Sequence, residues 1–186
     1  MVMMVKPPHD FDVIVAGGGP AGSTTASFLR KRGRSVLVLE KEHFPRFHIG
    51  ESLLPCAGDV WDELGLTDEL KRRFIVKPAA RFIHNESGAE FTYYFSNAIR
   101  PDYPFAYEVP RAEFDELLLS RSAELGAQVR FGHEVRDVEI QPDGVRVAIQ
   151  PEQGDRYSVH AQVFVDATGR DTLLGTRFGL KVADDL

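Results

Sequence analysis

Gly17-Gly-Gly-Pro-Ala-Gly22 constrains this chain more than any other stretch, because its glycines stand at the three positions of G-x-G-x-x-G. Leading into it, Phe11-Asp-Val-Ile-Val-Ala-Gly17 is a short apolar run ending in glycines, read as a buried parallel strand. After it, Pro20 to Arg32 reads as a helix with small residues on its early turns, and Gly33 stops it. Ser35-Val-Leu-Val-Leu-Glu40 is a second apolar strand. Strand, helix and strand together have the length of a βαβ crossover, about 30 residues. Each glycine has its own physical role. Gly17 turns the chain sharply out of the strand, Gly19 lets backbone approach a pyrophosphate, and Gly22 lets helix pack closely on strand. A phosphate there meets free amides at a helix N-terminus, where Pro20 and Ala21 open the first turn. Glu40 follows Gly17 by 23 positions, the spacing for a carboxylate on ribose hydroxyls. An acid there also disfavours a 2′-phosphate and so argues against NADP. The expected ligand is the ADP half of a dinucleotide, and these residues alone leave FAD and NAD both open.

Composition excludes several other classes. The 186 residues are 43% hydrophobic and 27% charged, which is ordinary globular content. A net charge of −6 argues against a general nucleic-acid footprint. The basic clusters Arg30-Lys-Arg32 and Lys71-Arg-Arg73 sit at expected helix ends, where they complement the dipole. The single cysteine, Cys56, forms no intrachain disulfide and reads as packing. No apolar run approaches the roughly 20 residues of a membrane span, and no signal peptide is evident, so the expected location is cytoplasmic. His43 and His48 share a loop, but no cysteine or acid completes a ligand set, and no metal site is expected.

The fold class expected is α/β: a Rossmann-like βαβ core with a parallel sheet, an antiparallel meander and an inserted β layer. Residues 1–75 would hold the βαβ unit and a loop, 76–109 the inserted sheet, and 110–186 the return to the first domain. Helices are expected over Leu53–Leu64, Thr67–Arg73 and Arg111–Leu125, the last with Phe114, Leu117, Leu118 and Leu125 on one face. Strands are expected at Ala80–His84, Glu90–Phe95 and Tyr103–Val109. Gln128–Phe131, Glu134–Gln141, Val145–Gln150 and Tyr157–Val159 read as the antiparallel meander, and Gln162–Ala167 as a last separate strand. The aromatics Tyr93-Tyr-Phe95 and Tyr103-Pro-Phe105 suit either a substrate-facing sheet or a core face.

Phe11 to Pro55, above all Phe44-Pro-Arg-Phe-His-Ile-Gly-Glu-Ser-Leu-Leu-Pro55, resembles the flavin-dependent halogenases, within the p-hydroxybenzoate hydroxylase and geranylgeranyl reductase-like flavoproteins. Glu108-Val-Pro-Arg-Ala-Glu-Phe-Asp115 and Val165-Asp-Ala-Thr-Gly-Arg170 resemble two later motifs of that superfamily. The resemblance covers essentially the whole chain, as the N-terminal portion of a longer protein, so these residues alone are expected to bind FAD poorly and not to turn over. It implies FAD, reduced by a partner flavin reductase, with dioxygen, halide and an aromatic or pyrrole-like substrate. It also implies cofactor contacts from Gly17, Gly19, Pro20, Ala21, Gly22, Glu40, Lys41, Ser52, Arg111, Val135, Asp166 and Gly169.

Several of these have a plainer reading beside them. Arg111 could pair with Asp115 at i,i+4, Glu51 and Ser52 could cap the next helix, and Asp166 could bond turn amides. In the halogenases a lysine after the Gly-Glu-Ser helix directs hypohalous acid, by hydrogen bond or as a chloramine, and Lys77 falls at that place. The family commonly follows that lysine with a small or basic residue and Gly, whereas here Pro78-Ala-Ala80 follows. A solvated strand-edge lysine is the alternative. A monooxygenase, a prenyl-chain reductase and an inactive dinucleotide-binding piece remain the competing functions.

Overall fold

The computed structural model describes residues 9–98 and 102–182. In chain order they form β1 (Phe11–Ala16), α1 (Pro20–Lys31), β2 (Val36–Glu40), α2 (Gly58–Leu64), α3 (Thr67–Arg73), β3 (Ile75–Lys77), β4 (Ala79–Ile83), β5 (Glu90–Tyr94), β6 (Ala106–Glu108), α4 (Arg111–Glu124), β7 (Gln128–Phe131), β8 (His133–Gln141), β9 (Gly144–Pro151), β10 (Tyr157–Asp166) and α5 (Leu173–Arg177). The chain divides into two compact units. One joins the residues up to Arg46 to those from Asp115 onward, and the other is Phe47–Phe114.

The first unit is built on a six-stranded sheet in the order β7-β2-β1-β10-β9-β8. β1 sits between β2 and β10, parallel to both. Val13, Val15, Val36 and Val38 pack on one face with Ala26 of α1, Leu119 and Ala127. Ile14, Ala16, Leu37 and Leu39 pack on the other with Val135, Val138, Val147, Ile149, Val159 and Ala161. Both faces are covered, so the two strands need apolar residues at every position, and period-2 alternation decides only which layer each one joins.

Two expectations are corrected here. β7 belongs to no meander: it pairs parallel to β2 and extends the Rossmann sheet. Tyr157–Val159 and Gln162–Ala167 are not separate strands but one, β10. Its first half runs antiparallel to β9 (Tyr157↔Ile149 to Ala161↔Val145), and its second half parallel to β1 (Phe11↔Ala161 to Ala16↔Asp166). One continuous strand thereby carries the β8–β9 ribbon into the nucleotide-binding sheet.

In the second unit, α3 occupies the expected residues, but the helix expected from Leu53 does not form there. Leu54 is extended (φ −112°, ψ 153°), Pro55–Ala57 is a single 3-10 turn, and α2 begins only at Gly58. The cause is Pro55, whose ring disfavours helical backbone in the residue before it. Residues 51–53 instead run along β6: the Leu53 amide donates to the Tyr107 carbonyl (2.9 Å), and the Val109 amide to the Glu51 carbonyl (2.8 Å). The Glu51–Ser52 capping reading is thereby overturned. β3 pairs antiparallel with the opposite edge of β6. Trp61 and Phe74 both meet Phe114 edge-on, at 5.5 and 6.2 Å. β4 and β5 form a separate hairpin, on which Phe82, Phe91 and Tyr93 are exposed.

Candidate cofactor site

The glycine loop leaves β1 where the chain is most crowded. The Gly17 amide donates to the Leu39 carbonyl (2.8 Å), and its φ of +102° belongs to glycine. A Cβ on Gly17 would lie 2.3 Å from the Ala167 carbonyl oxygen, and one on Gly22 would lie 1.9 Å from the Gly17 carbonyl oxygen. These two glycines are fixed by the protein's own packing. Gly19 differs: a Cβ there would meet only the Arg46 Nη2, at 3.5 Å. Gly19 is also the N-cap of α1, with Pro20 following and no side chain capping the first turn. Uncapped amides beside open space, at a residue whose smallness the protein itself does not require, fit a pyrophosphate.

Glu40 ends β2 and is buried. Its Oε2 accepts the Gly18 amide (2.7 Å) and its Oε1 the Glu42 amide (2.9 Å). The acid therefore latches the glycine loop to the strand end, and each oxygen keeps a second lone pair for a ribose hydroxyl. Lys41, the next residue, forms an ion pair with Asp171 at 2.6 Å. The hydrogen bond to Asp171 holds the ammonium's pKa above its ordinary value, and the same bond lowers that of Asp171. Asp166 is engaged by its own turn: Oδ1 accepts the Thr168 amide and hydroxyl, and Oδ2 the Leu174 amide at 2.7 Å. Gly169 sits in that turn with open space around it. Val135 lies on the edge strand β8, beside a bulge between it and Asp137.

Arg46 stands beside the glycine loop, and no sequence motif pointed to it. Its side chain is only 12% exposed, with Nε 3.1 Å from Glu42 Oε2 and Nη1 3.5 Å from the buried Asp115 carboxylate. Neither contact has hydrogen-bond geometry, so two buried donors remain unsatisfied beside the glycine loop. The guanidinium also lies over the Phe44 ring, 4.7 Å from its centroid. A half-satisfied cation facing Gly19 suits an anionic ligand. Arg46 sits within the Phe44–Pro55 resemblance, but no spacing rule singles it out.

In the second unit, Ser52, Lys77 and Glu108 come together on the small sheet. Lys77 is opposite Ala106, Ile75 is opposite Glu108, and Ser52 bridges to Glu108 from the other edge. Residues directly opposite share a face, so the three side chains converge. Lys77 Nζ donates to Ser52 Oγ and lies 3.6 Å from Glu108 Oε2. Arg111 Nη1 donates to the Ile49 carbonyl (2.9 Å), tying the start of α4 to the Gly50 loop. Glu51 is exposed; bonds from its own amide and that of Gly50 hold its carboxyl below the usual range.

A glycine turn that opens a helix, beside a buried acid at the end of the following strand, defines a Rossmann-type dinucleotide-binding domain. Residues 10–185 match the family described as FAD binding domain, and the chain belongs to that family. FAD is therefore the cofactor of this domain. The chain is 38% identical, over 95% of its length and 43% of the relative's, to a 1H-pyrrole-2-carbonyl-(peptidyl-carrier protein) chlorinase of Pseudomonas fluorescens. It superposes on a myxobacterial chondrochloren halogenase with a TM-score of 0.82 and 44% identity, covering 89% of this chain and 38% of that one. A flavoprotein/dehydrogenase of Cytophaga hutchinsonii gives a TM-score of 0.87 at 32% identity, over 94% of this chain and 43% of that one. The chain thus spans about two fifths of the length of the relatives it matches.

Proposed function

We propose that this chain supplies the FAD-binding portion of a flavin-dependent halogenase acting on an aromatic or pyrrole-like substrate. The observation that carries the reading is Lys77: it stands on the strand after the Gly50-Glu-Ser52 segment, with its ammonium bonded to Ser52. The halogenases' directing lysine stands at the same place in their sequences. The glycine loop, Glu40 and Arg46 hold the ADP half of the cofactor. With reduced FAD bound, dioxygen takes two electrons from the flavin and two from halide, giving hypohalous acid and water. What the protein must then do is aim that oxidant, and an N–H donor with one bonded partner already fixing its direction does so. A flavin reductase is the partner such a cycle requires. No helix among the described residues is long and apolar enough to cross a membrane, and a cytoplasmic location goes with the proposal.

The test compares a full-length protein carrying this chain with its Lys77→Ala variant, given reduced FAD, oxygen, chloride or bromide, and aromatic or pyrrole-like substrates. Halogenated product from the first, and its loss from the variant with FAD binding unchanged, supports the reading. Product unaffected by the substitution overturns the role of Lys77. Hydroxylated but never halogenated product moves the chain to the monooxygenases.

A further inference from the structure

We infer that the second unit carries a pocket for a small neutral aromatic molecule of phenol type, held between α2, α3 and the 103–107 segment with its oxygen on the Tyr107 hydroxyl. The pocket is separate from the Lys77 cluster and does not rest on the halogenase reading. The space is a cavity of about 210 Å³, walled by the rings of Trp61, Tyr103, Phe105 and Tyr107, with Asp62 and Lys71 beside them. An apolar cavity of about 150 Å³ accommodates benzene, so this one admits a ring with about two further non-hydrogen atoms. Tyr107 is the residue that calls for a ligand. It is only 4% exposed, and its buried hydroxyl has no hydrogen-bond partner among the described residues. A buried donor left unmade is unfavourable, and an acceptor on a ligand removes that penalty.

The walls are fixed by their own contacts. Trp61 is held edge-on by Phe114, and the Tyr103 ring lies against Gly58, where a Cβ would stand 2.2 Å from it. The Tyr103 hydroxyl donates to Asp62 Oδ2 (2.7 Å), and the Thr67 hydroxyl donates to Asp62 Oδ1. Lys71 Nζ lies 5.4 Å from the centroid of the Phe105 ring. Neither sign of ligand charge is favoured: a cation meets Lys71, an anion meets Asp62, and either loses water on entering a ring-lined space. Burial pushes the Tyr107 pKa above its ordinary value, so the group stays an O–H donor. A phenol oxygen accepts from it, whereas a ring N–H, being a donor only, does not. Tyr107 pairs with Val76 and so points away from the sheet face that carries Lys77 and Glu108.

Trp61 is the only tryptophan of the 186 residues and lines the pocket, so its emission reports the ligand directly. The chain is titrated with p-cresol and, separately, with toluene, exciting at the red edge of tryptophan absorption where neither probe absorbs. Saturable change of Trp61 emission is expected with both, at lower concentration for p-cresol. Tyr107→Phe keeps the ring and removes only the hydroxyl. It should weaken p-cresol roughly 2- to 13-fold, the range of one hydrogen bond, and leave toluene unchanged. Lys77→Ala, on the other face of the sheet, should leave both probes unchanged. Circular dichroism checks that each variant is folded. An emission change that rises linearly without saturation, or none, overturns the pocket and leaves Tyr107 to a buried water. Saturable p-cresol binding that Tyr107→Phe does not weaken, or that Lys77→Ala abolishes, overturns the placement. Failure of the halogenase reading would instead show as absent halogenated product, with these titrations intact.

Discussion

Gly19 and Gly22 lie three residues apart in one loop, yet alanine at the two positions should do opposite things. At Gly22 a Cβ would stand 1.9 Å from the Gly17 carbonyl oxygen, 3.0 Å from its carbonyl carbon and 3.2 Å from the Ala167 Cβ. Two of these atoms are backbone, so α1 must move off β1, loosening Ser23, Ala26 and Ser27, which are all fully buried. Overpacking of a close contact costs about 1–3 kcal/mol, and rigid backbone neighbours place this case near the upper end. For a chain of this size that lowers Tm by roughly 6–12 °C. At Gly19 the backbone is ordinary for alanine (φ −68°), and the Cβ meets only Arg46 Nη2 at 3.5 Å. Its stability should change by less than about 1 kcal/mol, the N-cap loss being offset by reduced unfolded-state freedom. The methyl occupies the space assigned to pyrophosphate, so the same clash cost falls on binding, roughly 5- to 150-fold in Kd for FAD. Thermal unfolding by circular dichroism and FAD titration by flavin fluorescence read the two effects separately. Gly19→Ala binding FAD like the wild type would refute the placement of the phosphates. Gly22→Ala melting with the wild type would refute the packing argument.

Glu40→Gln should release the glycine loop, because an amide group cannot accept at both positions; the loss is about 1.5–3 kcal/mol, seen as faster hydrogen exchange at the Gly18 and Glu42 amides. Arg46→Met should weaken FAD binding and destabilise the first unit by about 3 kcal/mol, since Asp115 is fully buried beside it, and Arg46→Lys should restore little because the planar fork is lost; urea denaturation and FAD titration test both. Asp12 Oδ2 accepts the Ser35 amide (2.7 Å) and hydroxyl (3.0 Å), and these bonds, led by the amide, depress its pKa. A depressed carboxyl stabilises above its unfolded value of about 3.9 and loses that contribution as pH falls through the folded value. Asp12→Asn should therefore flatten the fall of the urea midpoint below about pH 4.

The βαβ unit was legible because its signals are local. A doubly covered strand is apolar throughout, and the glycine spacing fixes the turn. Strand partners are not local, and there the sequence was silent. Gln128–Phe131 carries the pattern of a strand whether it lies in a meander or beside β2, and nothing within Tyr157–Asp166 marks where its neighbour changes from β9 to β1. Pro55 did hold a usable signal, since it opposes the helix that the apolar pattern of 53–64 favours. The site divides in the same way. Gly17, Gly22 and Glu40 are set by close packing that the motif encodes. Arg46 and Glu108 reach their partners only through tertiary approach, with no periodicity to announce them.

The Gly17–Gly22 loop, with Glu40 and Arg46, is proposed to seat the ADP half of FAD. Two-dimensional amide NMR of the chain during titration with FAD tests this most directly, because it locates even a weak ligand. The expected result is saturable shifts concentrated at Gly17, Gly18, Gly19, Ala21, Gly22 and Glu40 and at the Arg46 side chain, reproduced by ADP alone. Saturable FAD shifts that leave this loop unmoved, or shifts that ADP fails to reproduce, would contradict it.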